Sequence, residues 1–159
     1  MSWVKNYYTE YFDNLELLES ADSLMVLTRF EIKPLRECFW SYELNSVIND
    51  EDFTLIKEES GNEMICGCKE CKKFGNDLFE YYSIYKALTL IEDKFLNIEY
   101  ILYTNCERFY LEASNDIFWY YDEIYKCDFL KTVGRGISRL LPNVEISYRS
   151  SEEVEGLPF

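Results

Sequence analysis

The chain has 159 residues, 48% of them hydrophobic and 18% aromatic, which excludes a disordered polymer and allows a buried core. Thirty acids against sixteen bases give a net charge of −14, a field that repels nucleic acid and anionic lipid and favours basic partners. With no histidine present, Ser-His-Asp and Cys-His nucleophile pairs and histidine-bearing zinc catalysts are excluded.

No internal repeat or low-complexity linker divides the sequence. The expectation is therefore one globular α+β domain over residues 1–149 with a flexible tail at 150–159; a mostly α fold is the alternative. The apolar runs are too short to span a bilayer, and Met1–Glu10 lacks the apolar core of a signal peptide. A cytoplasmic location follows as an expectation, with six cysteines as thiols.

In chain order, Val4, Tyr7, Tyr8, Tyr11, Leu15 and Leu18 form an apolar stripe that predicts a first helix over residues 3–18. Alternation from Leu24 to Ile32 predicts a strand. Pro34 suits the first turn of a second helix over 34–48, with Leu35, Cys38, Phe39, Tyr42 and Val47 inward. After the acidic break at residues 49–52, Phe53–Glu58 and Glu63–Gly67 read as a hairpin turning at Ser60-Gly61-Asn62.

Residues 77–97 are expected to form the central amphipathic helix. Leu78, Tyr81, Ile84, Tyr85, Leu88, Ile91 and Phe95 fall on one arc, Asn76 and Asp77 supply capping oxygens, and Glu80 sits near the positive end of the dipole. About four helices are expected around it, with short, mostly antiparallel strands. Ile98–Tyr103 and Arg108–Glu112 read as a second hairpin, with a helical reading of that stretch left open. Asn115 and Asp116 begin a helix running to about Lys131, Gly134-Arg135-Gly136 breaks it, and Ile137–Leu141 is a short turn stopped by Pro142. Val144, Ile146 and Tyr148 alternate as a last strand.

Cys66-Gly67-Cys68-Lys69-Glu70-Cys71 places three thiols within six residues, enough to hold one metal if Cys38, Cys106 or Cys127 supplied a fourth. Strong zinc signatures carry two separated Cys-x-x-Cys pairs, and this chain has one, so ordinary thiols take precedence and no metal or cofactor is assigned. Cys68 and Cys71 also have the spacing of a redox dithiol, without the βαβ frame or facing cis-proline that such a site needs. No glycine-rich phosphate loop is present, and no two carboxylates stand out as a hydrolytic pair.

The charge is uneven: residues 1–66 carry fourteen acids and five bases, a net −9. Tyrosines beside those acids suit an interface, and carboxylates can accept forked hydrogen bonds from a partner's arginines. In size, acidity and lack of catalytic residues the chain is similar in kind to bacterial immunity proteins that neutralise nuclease toxins. Phage proteins that mimic DNA charge share this profile, which is one of bulk character carried by no motif. The expected function is a non-enzymatic inhibitor that occludes the basic groove of a toxin or nuclease without itself touching nucleic acid or membrane. Glu10, Asp13, Glu16, Glu19, Asp50, Glu51 and Asp52 are the expected partner-facing residues. A zinc-stabilised scaffold or adaptor is the first alternative, and a DNA-mimicking anti-defence protein the second.

Overall fold

The computed structural model describes residues 15–49, 52–95 and 98–149. Its centre is a five-stranded sheet in the order β3-β2-β1-β4-β5. Strands β1 (Ser23–Lys33), β2 (Glu37–Ile48) and β3 (Asp52–Met64) form an antiparallel meander, while β4 (Tyr100–Thr104) and β5 (Val144–Tyr148) add in parallel on the other side of β1. Six α-helices lie among the described residues: α1 (Leu15–Ser20), α2 (Lys69–Phe74), α3 (Asp77–Lys94), α4 (Glu107–Ser114), α5 (Tyr121–Ile124) and α6 (Asp128–Leu140). The α+β class is therefore as expected.

Residues 37–48 form a strand where a helix was expected. Leu35, Cys38, Phe39, Tyr42 and Val47 fit a helical stripe, yet Cys38, Trp40, Tyr42 and Leu44 also alternate and are buried, followed by buried Asn45, Ser46 and Val47, while Phe39 is exposed. Pairing with β1 on one side and β3 on the other satisfies the backbone, and Pro34 sits instead in the tight connection Pro34–Arg36, where Leu35 and Arg36 adopt positive φ. Nor does Ser60-Gly61-Asn62 turn the chain. These residues run straight through β3 opposite Ser41, Trp40 and Phe39. A Cβ on Gly61 would lie 2.6 Å from Trp40 Cζ2, so the glycine is needed for a ring to lie against the backbone rather than for a turn.

Helix α3 packs across β1 and β2, with α6 against it. Leu78, Tyr81, Ile84, Leu88 and Ile91 are buried as the stripe predicts, but Phe79, Glu80, Tyr82 and Ser83 are buried too. With a sheet on one side and helices on the other, its first two turns have almost no wet face. Its helical span ends at Lys94; residues 96 and 97, the end of the expected span, lie outside the described residues.

Tyr81 and Tyr121 both donate to Glu112 Oε1, at 2.6 and 2.7 Å, fixing α3, α4 and α5 through one carboxylate. Tyr81 meets Phe74 and Phe109 edge-on, with ring centroids 5.0 and 5.2 Å apart. Arg108 lies over the Phe74 ring at 3.7 Å and donates to the Phe74 carbonyl at 2.8 Å.

Of the expected second hairpin, Tyr100–Thr104 is a strand, while Arg108–Glu112 lies within α4. The helix expected to run to Lys131 is divided: a 3-10 turn at Phe118–Tyr120 leads into α5, and α6 begins afresh at Asp128. Gly134 and Gly136 do not break α6. They thin it for contact: an added Cβ would lie 2.5 Å from Tyr121 Cβ at Gly134 and 2.2 Å from Tyr85 Cε2 at Gly136. Leu130, Val133, Gly134, Ile137 and Leu140 accordingly form the buried stripe of α6.

Helix propensity alone favours alanine over glycine by about 1 kcal/mol in a helix interior. Gly134→Ala is nevertheless expected to destabilise by about 1–3 kcal/mol, because Tyr121 is buried and hydrogen-bonded and cannot move aside cheaply. A lower urea midpoint at unchanged slope checks this; a raised midpoint would show that the contact relaxes.

Candidate active site

The parallel ladder between β1 and β4 pairs Met25, Val26 and Leu27 with Ile101, Leu102 and Tyr103. Beyond Leu27, β1 continues beside β2 while β4 finishes at Thr104. A crevice of about 260 Å³ opens there. Its polar wall consists of Thr28 and Arg29 from β1, Thr104 and Asn105 from the end of β4, and Glu80 from α3; Leu27, Phe30 and Tyr103 supply the apolar remainder. In open sheets with parallel strands, ligands favour such a crevice at strand ends.

Glu80 is 7% exposed, and among the described residues lining the crevice it is the one carboxylate. Its Oε1 takes a long 3.5 Å contact from Thr104 Oγ1, whose oxygen in turn accepts the Cys106 amide at 3.0 Å. Burial raises its carboxyl to about 7, the Thr104 contact lowers it, and Asp77 nearby adds to the rise. Thr28 Oγ1 is also buried and has no hydrogen-bond partner among the described residues. Thr28 and Glu80 both line the crevice, and buried oxygens short of partners are costly in a core.

The rim is not uniformly acidic. Arg29 lines the crevice, held 3.8 Å from Glu43, and Arg149 lies over the Tyr103 ring at 5.0 Å. The Arg149 amide donates to the Thr104 carbonyl at 2.8 Å, which sets this cation beside the end of β4.

Of the residues expected to face a partner, the structure describes the side chains of two. Glu10, Asp13, Asp50 and Glu51 lie outside the described residues, as does the side chain of Glu16 in α1; Glu19 and Asp52 are exposed. Neither Glu19 nor Asp52 lines the crevice. Glu80 was read only as a favourable charge near the α3 N-terminus. The overlooked signal is its angle: at about 100° per residue it falls about 20° from Ile91, on the edge of the apolar arc.

The six cysteines separate into two kinds. Cys38 is buried against Ser83 and the Phe79 carbonyl, and Cys106 stands immediately before α4. Cys66, Cys68, Cys71 and Cys127 come together, their sulfurs all within 4.8 Å of one another.

No family model and no curated protein matches this sequence. Solved structures do match. LC11-RNase H1, isolated from compost by a metagenomic approach, aligns with TM-score 0.54 at 13% identity, over 84% of this chain and 89% of that one. LC9-RNase H1, described as a type 1 RNase H with the type 2 active-site motif, aligns with TM-score 0.56 at 9% identity, over 80% and 63%. The prototype foamy virus protease-reverse transcriptase aligns with TM-score 0.55 at 11% identity, over 86% of this chain and 20% of that one. At these identities the likeness establishes the fold, which is that of RNase H1.

This corrects the expected function. A non-catalytic inhibitor of the immunity type, with no direct dealings with nucleic acid, is contradicted by a fold shared with LC11-RNase H1, which has been seen in complex with an RNA/DNA hybrid. The DNA-mimic alternative, which rested on bulk charge, and the scaffold alternative, which rested on the cysteines, are equally non-enzymatic and are corrected by the same likeness of fold. Among the described residues no helix is long and apolar enough to cross a membrane.

A buried acid whose carboxyl titrates higher in the folded chain favours the protonated form, so stability is greatest below the unfolded value of 4.5 and falls as pH rises through about 7. At pH 8 without divalent ions, Glu80→Gln removes that cost and is expected to stabilise by about 3 kcal/mol, with little effect at pH 4. Melting temperatures across that window check the sign. A glutamine variant less stable at pH 8 would show that the carboxylate is satisfied as an anion.

Proposed function

We propose that this chain is a divalent-ion-dependent hydrolase of nucleic-acid phosphodiesters, with the crevice between β1, β4 and α3 as its active site. One observation supports the reading above others: a buried carboxylate set at the end of the central parallel ladder, in a fold shared with RNase H1. Phosphodiester hydrolysis assisted by a metal ion needs oxygen ligands and no histidine.

The donor set fits one such ion. Glu80 offers an anionic oxygen, and Thr28, Thr104 and Asn105 offer neutral ones, the hard ligands that suit magnesium or manganese. Magnesium is commonly bound through one or two carboxylates with the remaining positions left to water and substrate phosphate. Two bridged ions would need more carboxylate than the described lining holds. When bound, the ion would polarise the phosphate and lower the pKa of a coordinated water.

The protein's residues do the rest. Glu80 fixes the charge at the crevice floor, where low dielectric strengthens its pull on a cation. Thr104 orients that carboxylate and is itself held by the Cys106 amide. Arg29 and Arg149 give a phosphate backbone a local cationic edge on an otherwise acidic molecule, and Tyr103 adds a ring against which Arg149 lies.

The test is cleavage of an RNA/DNA hybrid by the full chain with magnesium or manganese, beside single-stranded RNA and duplex DNA. Glu80→Gln is expected to lower the rate by about a hundredfold or more, the scale for losing a positioned charge. Absence of both cleavage and hybrid binding in the unmodified chain, or equal rates in the variant, would overturn the proposal. Binding without cleavage would overturn its hydrolytic part.

A further inference from the structure

Cys66 and Cys68 lie on the segment joining β3 to α2, Cys71 lies within α2, and Cys127 immediately precedes α6. The Cys66 and Cys127 sulfurs are 3.8 Å apart, and those of Cys71 and Cys127 are 3.6 Å apart. Four thiolates at about 2.3 Å around one tetrahedral ion have sulfurs about 3.8 Å apart. A disulfide needs sulfurs at about 2.05 Å and joins only two of the four. Two of the sulfur pairs thus stand at the edge length of such a tetrahedron, with all four sulfurs within 4.8 Å of one another, and the missing second Cys-x-x-Cys pair is replaced by one cysteine from the far side of the sequence.

We propose that Cys66, Cys68, Cys71 and Cys127 bind one structural zinc ion. Each thiol gives up its proton on binding, leaving a dianionic centre. Cations stand close in sequence to offset it, with Lys69, Lys72 and Lys73 following Cys68 and Lys126 preceding Cys127. Supporting contacts already hold the ligands in place. Glu70 Oε1 accepts the amides of Lys126 and Cys127 at 3.0 and 2.8 Å, Arg36 Nε donates to the Cys66 carbonyl at 3.0 Å, and the Cys71 amide donates to Cys68 Sγ at 3.5 Å. These bonds tie the two cysteine-bearing segments together independently of any ion. With four protein ligands the centre has no open position for substrate, which makes it structural rather than catalytic.

What such a centre does follows from its place. It clasps the start of α6 to the segment that leads into α3, the helix carrying Glu80, and so closes a long stretch of chain that includes β4, α4 and α5. The inference stands apart from the hydrolase reading, since its test needs no activity.

Elemental analysis of the purified full chain, kept under reducing conditions, is expected to find about one zinc per chain. Cobalt in its place should give intense thiolate-to-metal charge-transfer absorption. Cys68→Ser replaces the one exposed thiol of the four and so should leave the fold intact, while weakening zinc binding by at least about tenfold. Cys38→Ser and Cys106→Ser should keep full zinc content. Chelation should lower the melting temperature of the unmodified chain and leave that of Cys68→Ser less affected. Metal-free protein that neither takes up added zinc nor gains stability from it would overturn the proposal. So would iron in place of zinc, a disulfide among these cysteines in the reduced preparation, or zinc lost equally from the Cys38→Ser control.

Discussion

The parallel pairing of three residues, Met25–Leu27 against Ile101–Tyr103, is the constraint on which the remaining architecture depends. A meander of three antiparallel strands can form from neighbouring sequence, but a parallel partner for β1 requires the chain to cross from one end of the sheet to the other. Helix α3 makes that crossing, and its length and burial follow from it. Because β4 is short and β1 long, the ladder stops beneath the first turn of α3, where Glu80 points at Thr104. A buried carboxylate at that spot is therefore a product of strand length and register as much as of local sequence.

Elements with a single unambiguous period were legible. The alternation of Leu24–Ile32 and of Val144, Ile146 and Tyr148 gave strands where strands occur, and the stripe from Leu78 to Ile91 gave α3. Where two periods compete, pairing partners decide, and these lie far away in the chain: residues 38–44 satisfy a helical and an alternating pattern equally, and only β1 and β3 resolve them. Glycines misled for a related reason. Gly61, Gly134 and Gly136 look like punctuation, yet each sits inside a regular element against a ring that needs the missing side chain's room. A glycine that serves packing and one that serves a turn have the same appearance until the neighbour is known.

The cysteine cluster shows the same limit from the other side. Three of the four thiols were evident from spacing, with Cys127 one of three candidates for the fourth; no second pair marks it, because Cys127 comes alone, 56 residues after Cys71. Nothing in local composition distinguishes Cys127 from Cys38 or Cys106. The difference is that Cys127 stands at the start of α6, which the contacts of Gly134 with Tyr121 and of Gly136 with Tyr85 bring back against the front of the molecule.

Net charge failed as a guide to function because it describes the long-range field and not the fold. Some of the carboxylates are paired, among them Glu63 with Lys86, Glu92 with Arg139 and Asp122 with Arg135, and Arg29, itself beside Glu43, and Arg149 stand where the crevice opens. The missing histidines misled in the same way: they exclude one set of mechanisms and leave metal-assisted phosphodiester chemistry untouched. The two facts combine at Glu80. On the proposed reading, one carboxylate in an acidic protein gives an ion few anionic ligands, so substrate phosphate must complete its coordination. Ion and nucleic acid then each raise the other's affinity by the same factor, and an acidic surface that weakens chance contact with nucleic acid sharpens that dependence.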